Sequence, residues 1–402
     1  MQIDIRNFIF FIYIWCFIGT GIVDNIPMLS PLKFLPDILI IGLLVYEKMY
    51  TKKQIYDPFS RNILYCLLII TLISYLLHYE NIFFYIWGIR NLFRFFLYMH
   101  VCICFMKKKD FTSFCNITFF FLLVNTPIMF YQGVVMHLFG DNVGGLFGTT
   151  TGVNAYTNIH LVLSTIVAIS LFTKKKISIE YLSLIILCCF LQAALAEVKF
   201  YYIEFVLIII CMFTFSKEKK ILFPLILTSS IIFSIGLFMM FFFYQGNVDF
   251  FNLDSIFSYS DEAYASHSEG IDRATALPLI KKLFLMNPLD FLFGIGLGNA
   301  ELTQLYTPKF ISNYGYFHIY FFSHAMLFLE TGLIGIILYS LFFIIYFIFI
   351  YPKREKIQNL VGISLIPLIF CLCIYNQSMR LDSAFLVYTF LSMPYTRDEV
   401  NQ

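Results

Sequence analysis

Long apolar runs separated by short polar turns make up most of this chain. Twelve runs stand out, at 8–23, 34–46, 62–78, 83–106, 111–131, 158–173, 177–195, 199–215, 221–244, 320–350, 359–376 and 381–393. A helix of roughly 20 apolar residues covers a bilayer, and fewer suffice where the membrane thins, so each run reads as a candidate membrane helix. The runs at 34–46 and 381–393 are short enough to be re-entrant, and the run at 320–350 must tilt or begin outside the hydrocarbon. One long polar interruption, from Gln245 to about Tyr320, breaks the pattern. It divides the chain into helices one to nine (1–244), a long loop (245–320), and helices ten to twelve with a tail (321–402). Loops longer than about 15 residues are usually functional or disordered. The aromatic residues, amphipathic stretch and glycine turn of this one favour an ordered lid. The expected fold is all-α and polytopic, with about twelve transmembrane helices.

Composition agrees with lipid as the solvent. Of 402 residues, 60% are hydrophobic, 20% aromatic and 13% charged, with mean hydropathy +0.80, where soluble domains carry roughly 25% charged residues. A net charge of +2 and the lack of a basic arm leave no case for a nucleic-acid partner. The ten cysteines fall almost entirely in apolar stretches and none lies in the long loop, so they read as buried thiols. Cys102-x-Cys104 and Cys371-x-Cys373 lack the histidines and polar flanks of a zinc site, and no metal or other cofactor is expected. No small-residue cleavage site follows 8–23, which reads as a retained helix.

Lysine placement sets the expected orientation. Lys48/Lys52/Lys53, Lys107–Lys109, Lys174–Lys176, Lys217/Lys219/Lys220 and Lys353/Arg354/Lys356 follow helices two, four, six, eight and ten. Basic clusters at alternate connections put both termini in the cytoplasm and the long loop outside.

The remaining charges then become informative. Arg90 and Arg94 stand one turn apart on helix four, Glu197 and Lys199 at the hairpin between helices seven and eight, Arg273 in the long loop, and Arg380 in the last outer turn. Charges within a span are costly and usually functional; snorkelling or a structural ion pair is the alternative, strongest for Arg94 and Lys309. Arg90, Lys199, Arg273 and Arg380 share a depth and a side, as a site for a lipid-linked pyrophosphate requires, because arginine grips phosphate oxygens with a planar fork of donors. The outer loop at 132–157, rich in glycine and threonine, adds Asp141 and Asn154, either as a connector or as part of a polar ligand site.

Within the long loop, ATALPLIKKLFLM reads as a surface amphipathic helix ended by Asn287-Pro288. GIGLGN (294–299) is a tight turn. It is not a dinucleotide site, because its third glycine falls one position early and no strand–helix unit surrounds it. Tyr306, Tyr314 and Tyr316 are available to stack on sugar rings. His318 and His324 stand near the outer end of helix ten, with Glu330 six residues beyond His324; a histidine at that boundary is suited to accept a hydroxyl proton, or to make a plain interfacial hydrogen bond.

The ordered set of Arg273, amphipathic helix, NPLDFLFGIGLGN, histidine and ETGLIG, over roughly Gly270–Tyr339, resembles the O-antigen polymerase and O-antigen ligase superfamily. The resemblance implies a bacterial inner-membrane glycosyltransferase that uses an undecaprenyl-pyrophosphate-linked oligosaccharide at the periplasmic face, without nucleotide sugar or metal. It also implies membrane lipid and a chain-length regulator protein as partners. The family's histidine lies about three turns before the first glycine of the ETGLIG-like element. His324 is a turn closer and His318 about a turn further, so both are candidates. The leading expectation is a repeat-unit polymerase with His324 as base, Glu197 as second choice, and Arg273, Arg90, Lys199 and Arg380 on the pyrophosphate. Asn154, His318, Glu330 and the three tyrosines would contact substrate. A ligase transferring glycan to lipid A-core is the alternative within the superfamily. A lipid-linked oligosaccharide flippase is the alternative from another class.

Overall fold

The computed structural model describes residues 4–50, 58–138, 140–219, 224, 229–238, 271, 273–301 and 307–396. Among them the protein is helical, with no strand. The first eight α-helices are α1 (Arg6–Asn25), α2 (Leu35–Tyr50), α3 (Pro58–Leu77), α4 (Ile82–Phe105), α5 (Asp110–Phe130), α6 (Asn154–Thr173), α7 (Ile179–Leu195) and α8 (Phe200–Phe215). After α9 (Ser229–Phe238) come three short helices of the polar segment, α10 (Ala276–Leu283), α11 (Pro288–Phe293) and α12 (Lys309–Tyr314). The chain closes with α13 (Ser323–Ile350), α14 (Ile357–Tyr375) and α15 (Ala384–Ser392).

Seven helical stretches among the described residues are long and apolar enough to cross a membrane: Arg6–Asn25, Met28–Met49, Phe59–Leu77, Asp110–Val135, Asn154–Thr173, Ser323–Lys353 and Ile357–Tyr375. Four shorter apolar helices accompany them. The helix α4, although 24 residues long, is not one of the seven; Arg90, Asn91, Arg94 and His100 lower its hydropathy. Apolar side chains face both inward and outward, as a helix between protein and lipid requires. Ile38, Ile41 and Val45 of α2 and Leu72 and Leu76 of α3 all point outward, while α6 is the most deeply buried of the seven stretches. Aromatic packing fills the interior: Phe95 lies 5.6 Å from Tyr388, and Phe96 stands edge-on to Phe342 at 4.8 Å.

Three local features position the site. The helix α4 starts at Asn81, whose side chain accepts the Phe83 N–H at 3.0 Å and supplies one of the orphan N-terminal bonds. The helix α13 is broken at Gly332 (φ 65°, ψ −166°), so the long apolar run at 320–350 is interrupted near its start. The amphipathic helix ends at Leu283, and Asn287-Pro288 does not stop it: Asn287 caps α11, taking the Leu289 N–H at 3.1 Å, with proline at the first helical position. Ala276 and Ile280 of α10 are buried in a small core with Phe322 and Leu329, while Lys281 and Lys282 are exposed, so α10 has the amphipathic character expected of it. Residues 245–270, 272 and 302–306 of the segment, including Tyr306, lie outside the described residues.

Candidate functional site

Three arginines meet at one end of the bundle. Arg90 and Arg94 come from α4, and Arg380 from the turn Ser378–Arg380 between α14 and α15. They border a cavity of about 460 Å³ together with Lys33, Asp24, Glu301 and Asp382, a volume within the roughly 300–1,000 Å³ range of small-ligand sites. Its aromatic walls are Trp15, Phe34, Trp87, Tyr156, Tyr320 and Phe321. Arg90 lies in the first half of α4 and Arg94 near its middle, Tyr156 lies in the first turn of α6 and Tyr320 just before α13; the lysine clusters follow the far ends of these helices.

Each arginine is oriented by a carboxylate. Arg90 Nε and Nη2 donate to Asp37 Oδ2 at 2.9 and 2.6 Å, and its guanidinium lies over the Trp87 and Phe34 rings at 4.8 and 5.1 Å. Arg94 Nη1 meets Asp382 Oδ1 at 2.7 Å, and Nη2 donates to the Arg380 carbonyl at 3.1 Å. Arg380 Nη2 donates to Glu330 Oε2 at 3.0 Å and to Glu301. Burial works against the Arg380 charge, but the adjoining Glu301 and Glu330 outweigh it and hold its pKa above the ordinary value. Four cations and three carboxylates thus line the cavity, with Asp37 and Glu330 behind them. Asp24 differs from the other acids. It sits at the exposed rim, has no arginine or lysine partner among the described residues, and accepts the Thr150 hydroxyl at 2.9 Å.

The glycine turn delivers Glu301. Gly298 has φ +86°, and a Cβ there would stand 1.9 Å from the Phe84 carbonyl oxygen. A Cβ on Gly294 would meet the Glu330 backbone at 2.4 Å. Only glycine permits this approach to α4 and α13 together. The Ile295 N–H donates to the Leu329 carbonyl at 2.9 Å, the Gly298 N–H donates to Glu330 Oε1 at 2.9 Å, and His78 Nε2 contacts Asp290 at 2.8 Å. The turn is therefore wedged between helices and carries Glu301 onto Arg380 and Asn91.

Compared with family models, curated proteins and solved structures, the chain matches none. What the site can do must be read from its own residues.

The sequence-nominated residues do not share one cavity. Arg90 and Arg380 line the polar one and Glu330 supports it from behind. Arg273 and His324 line a neighbouring, largely apolar pocket of about 340 Å³ with Leu277, Leu327, Tyr339 and Phe370. Arg273 Nε donates to the Tyr375 carbonyl at 2.8 Å, and its guanidinium lies 4.5 Å from the Tyr375 ring centroid. His324 Nδ1 is 3.0 Å from the Cys373 carbonyl; a carbonyl only accepts, so that nitrogen carries the proton. Glu197 and Lys199 pair with each other at 3.0 Å, and Asn154 donates to Asp141. Tyr314 packs on Phe284 and Phe310 of the polar segment, and Tyr316 on Phe317. His318, in the left-handed region at φ 54°, holds the Tyr320 hydroxyl at 2.9 Å and stacks on Phe321, so it supports two cavity walls from outside.

Asp24, Asp37, Glu301, Asp382 and Trp87 were not among the sequence nominations. Asp37 and Trp87 carried a signal, a charged or indole side chain inside an apolar run, whereas Glu301 lies in the long polar segment and had none.

Proposed function

We propose that this chain is a membrane glycosyltransferase, a surface-polysaccharide repeat-unit polymerase that joins oligosaccharides carried on undecaprenyl pyrophosphate. The observation that carries the reading is the single cavity in which Arg90, Arg94 and Arg380 alternate with carboxylates among aromatic walls. Sugars are held by planar hydrogen-bonding groups and ring faces, and a pyrophosphate by guanidinium forks, so one donor needs both kinds of surface.

The reaction is attack by an acceptor sugar hydroxyl on the anomeric carbon of the donor. The new glycosidic bond forms as the bond to undecaprenyl pyrophosphate breaks, the leaving group takes the electron pair, and the hydroxyl proton goes to a base. Arginines already oriented by Asp37, Asp382 and Glu330 stabilise the leaving pyrophosphate without reorganising, usually the largest single contribution in such a step. Arginine-bound carboxylates are weak bases. Asp24, which among the described residues accepts the Thr150 hydroxyl and has no arginine or lysine partner, is therefore the proton acceptor in this reading. His324 donates to a carbonyl in the neighbouring pocket, which fits a positioning role. In this reading the cavity faces the periplasm, which the lysine alternation supports, and the polyprenyl chain lies in the surrounding lipid.

Removing the protein from its host tests the reading. The expected result is surface glycan with single repeat units. Accumulation of finished lipid-linked polymer would indicate a ligase instead, and loss of all outward-facing intermediates a flippase.

A further inference from the structure

At the opposite end of the bundle from the cavity, near the lysine clusters, α2 and α4 bring three metal-ligating side chains together. His100 and Cys104 stand four residues apart on one face of α4, and Cys104 Sγ lies 3.5 Å from His100 Nε2. Glu47 reaches across from the last turn of α2 and places Oε2 3.7 Å from the same nitrogen. One donor atom from each of the three lies within 4.8 Å of the others. Glu47 and His100 are largely shielded, with side chains 15% and 22% exposed.

We propose that Glu47, His100 and Cys104 form a binding site for a borderline-soft divalent transition ion of the Zn²⁺ class. Around a tetrahedral ion with bonds of about 2.0–2.3 Å, neighbouring donors stand roughly 3.3–3.8 Å apart, and the 3.5 and 3.7 Å separations fall there. The donor set selects the ion. A thiolate and an imidazole favour Zn²⁺ over Mg²⁺ or Ca²⁺, which prefer oxygen alone. Charge also balances: one carboxylate and one thiolate neutralise a divalent ion in a half-buried place. On binding, the Cys104 thiol gives its proton to solvent as the metal–sulfur bond forms, the imidazole binds neutral through Nε2, and no electron is transferred. The ion would tie α2 to α4 at this end, as Asp37 and Arg90 tie them at the cavity end. The CxC spacing at Cys102 and Cys104 hides this site, because the partner of Cys104 is one helical turn back and not two residues away.

The test is titration of the purified, chelator-stripped full chain with Co²⁺, and then Zn²⁺, in detergent. The expected result is one ion per chain with a thiolate-to-cobalt charge-transfer band, displaced by Zn²⁺. The band is lost in Cys104→Ser and His100→Gln, and affinity falls at least about tenfold in Glu47→Gln. A band that persists in Cys104→Ser, or no band in the unaltered chain, overturns the proposal. Should the variants fail to purify monodisperse, maleimide labelling of the unaltered chain decides. Protection of Cys104 by one equivalent of Zn²⁺ supports the site, and unchanged labelling overturns it.

Discussion

Arg380 Nη2 lies 3.0 Å from Glu330 Oε2, joining the turn between α14 and α15 to a carboxylate that is fully buried where α13 breaks. That pair connects the polar cavity to the fold. It holds the 378–380 turn against the broken helix, and the Gly298 N–H takes the other Glu330 oxygen.

Removing one partner of a buried pair strands the other charge. Arg380→Ala should cost on the order of 3–5 kcal/mol of stability, read as a lower detergent-denaturation midpoint. Arg380→Met with both Glu330→Gln and Glu301→Gln should recover much of that loss, because no carboxylate of the cluster is then left without its cation. A triple variant no more stable than the single one would contradict the pairing.

The glycine wedge makes a steric prediction with an internal control. Gly298→Ala places a methyl against the Phe84 carbonyl at a positive φ, and should destabilise by at least about 2 kcal/mol. Gly42, within α2, has nothing within 4 Å of its Cβ position, so Gly42→Ala should be neutral or stabilising by up to about 1 kcal/mol. Thermal midpoints of the two purified variants check both.

Much of this fold was legible in the chain, and the site only in part. Apart from the run at 221–244, much of which lies outside the described residues, the helices fall within a few residues of the apolar runs, because lipid forces every backbone group into helical hydrogen bonds and leaves hydropathy to mark the ends. Arg90 and Arg380 were legible as costly charges at one depth. Their partners were not, since Asp37 is 53 residues from Arg90 and Glu301 is 79 from Arg380. Nothing local records such pairings. The glycine turn was recognised as a turn, but its place between α4 and α13 depends on where those helices approach each other. Arg273 and His324 were grouped with the arginines by topology. Packing instead gives them a pocket of their own against Tyr375 and Cys373.

His318 gives the protein an acid-side sensitivity. Partial burial holds its pKa below the ordinary 6.5. Above 6.5 the ring is neutral in both folded and unfolded chains. As pH falls below 6.5 the unfolded chain takes up the proton first, so stability declines until the folded-state value is passed. Unfolding midpoints of the unaltered chain should fall on the acid side of 6.5, and His318→Gln should flatten that slope. An unchanged slope would remove His318 as its source.

If Asp24 accepts the proton as proposed, its replacement should leave the fold intact. Asp24 lies at the exposed rim, so Asp24→Asn should purify normally while polymer formation falls by roughly 10²–10⁴-fold. Asp382→Asn should instead lower both stability and activity, because Arg94 loses its 2.7 Å partner. Parallel melting and turnover measurements separate the two.

The central claim is that the arginine–carboxylate cavity joins lipid-pyrophosphate-linked sugars. The most direct measurement is polymerisation by the purified chain supplied with undecaprenyl-pyrophosphate-linked repeat units, followed as a chain-length ladder on a gel. A ladder is expected with the unaltered protein and none with a folded Asp24→Asn variant. No ladder from the unaltered protein, or a full ladder from Asp24→Asn, would contradict it.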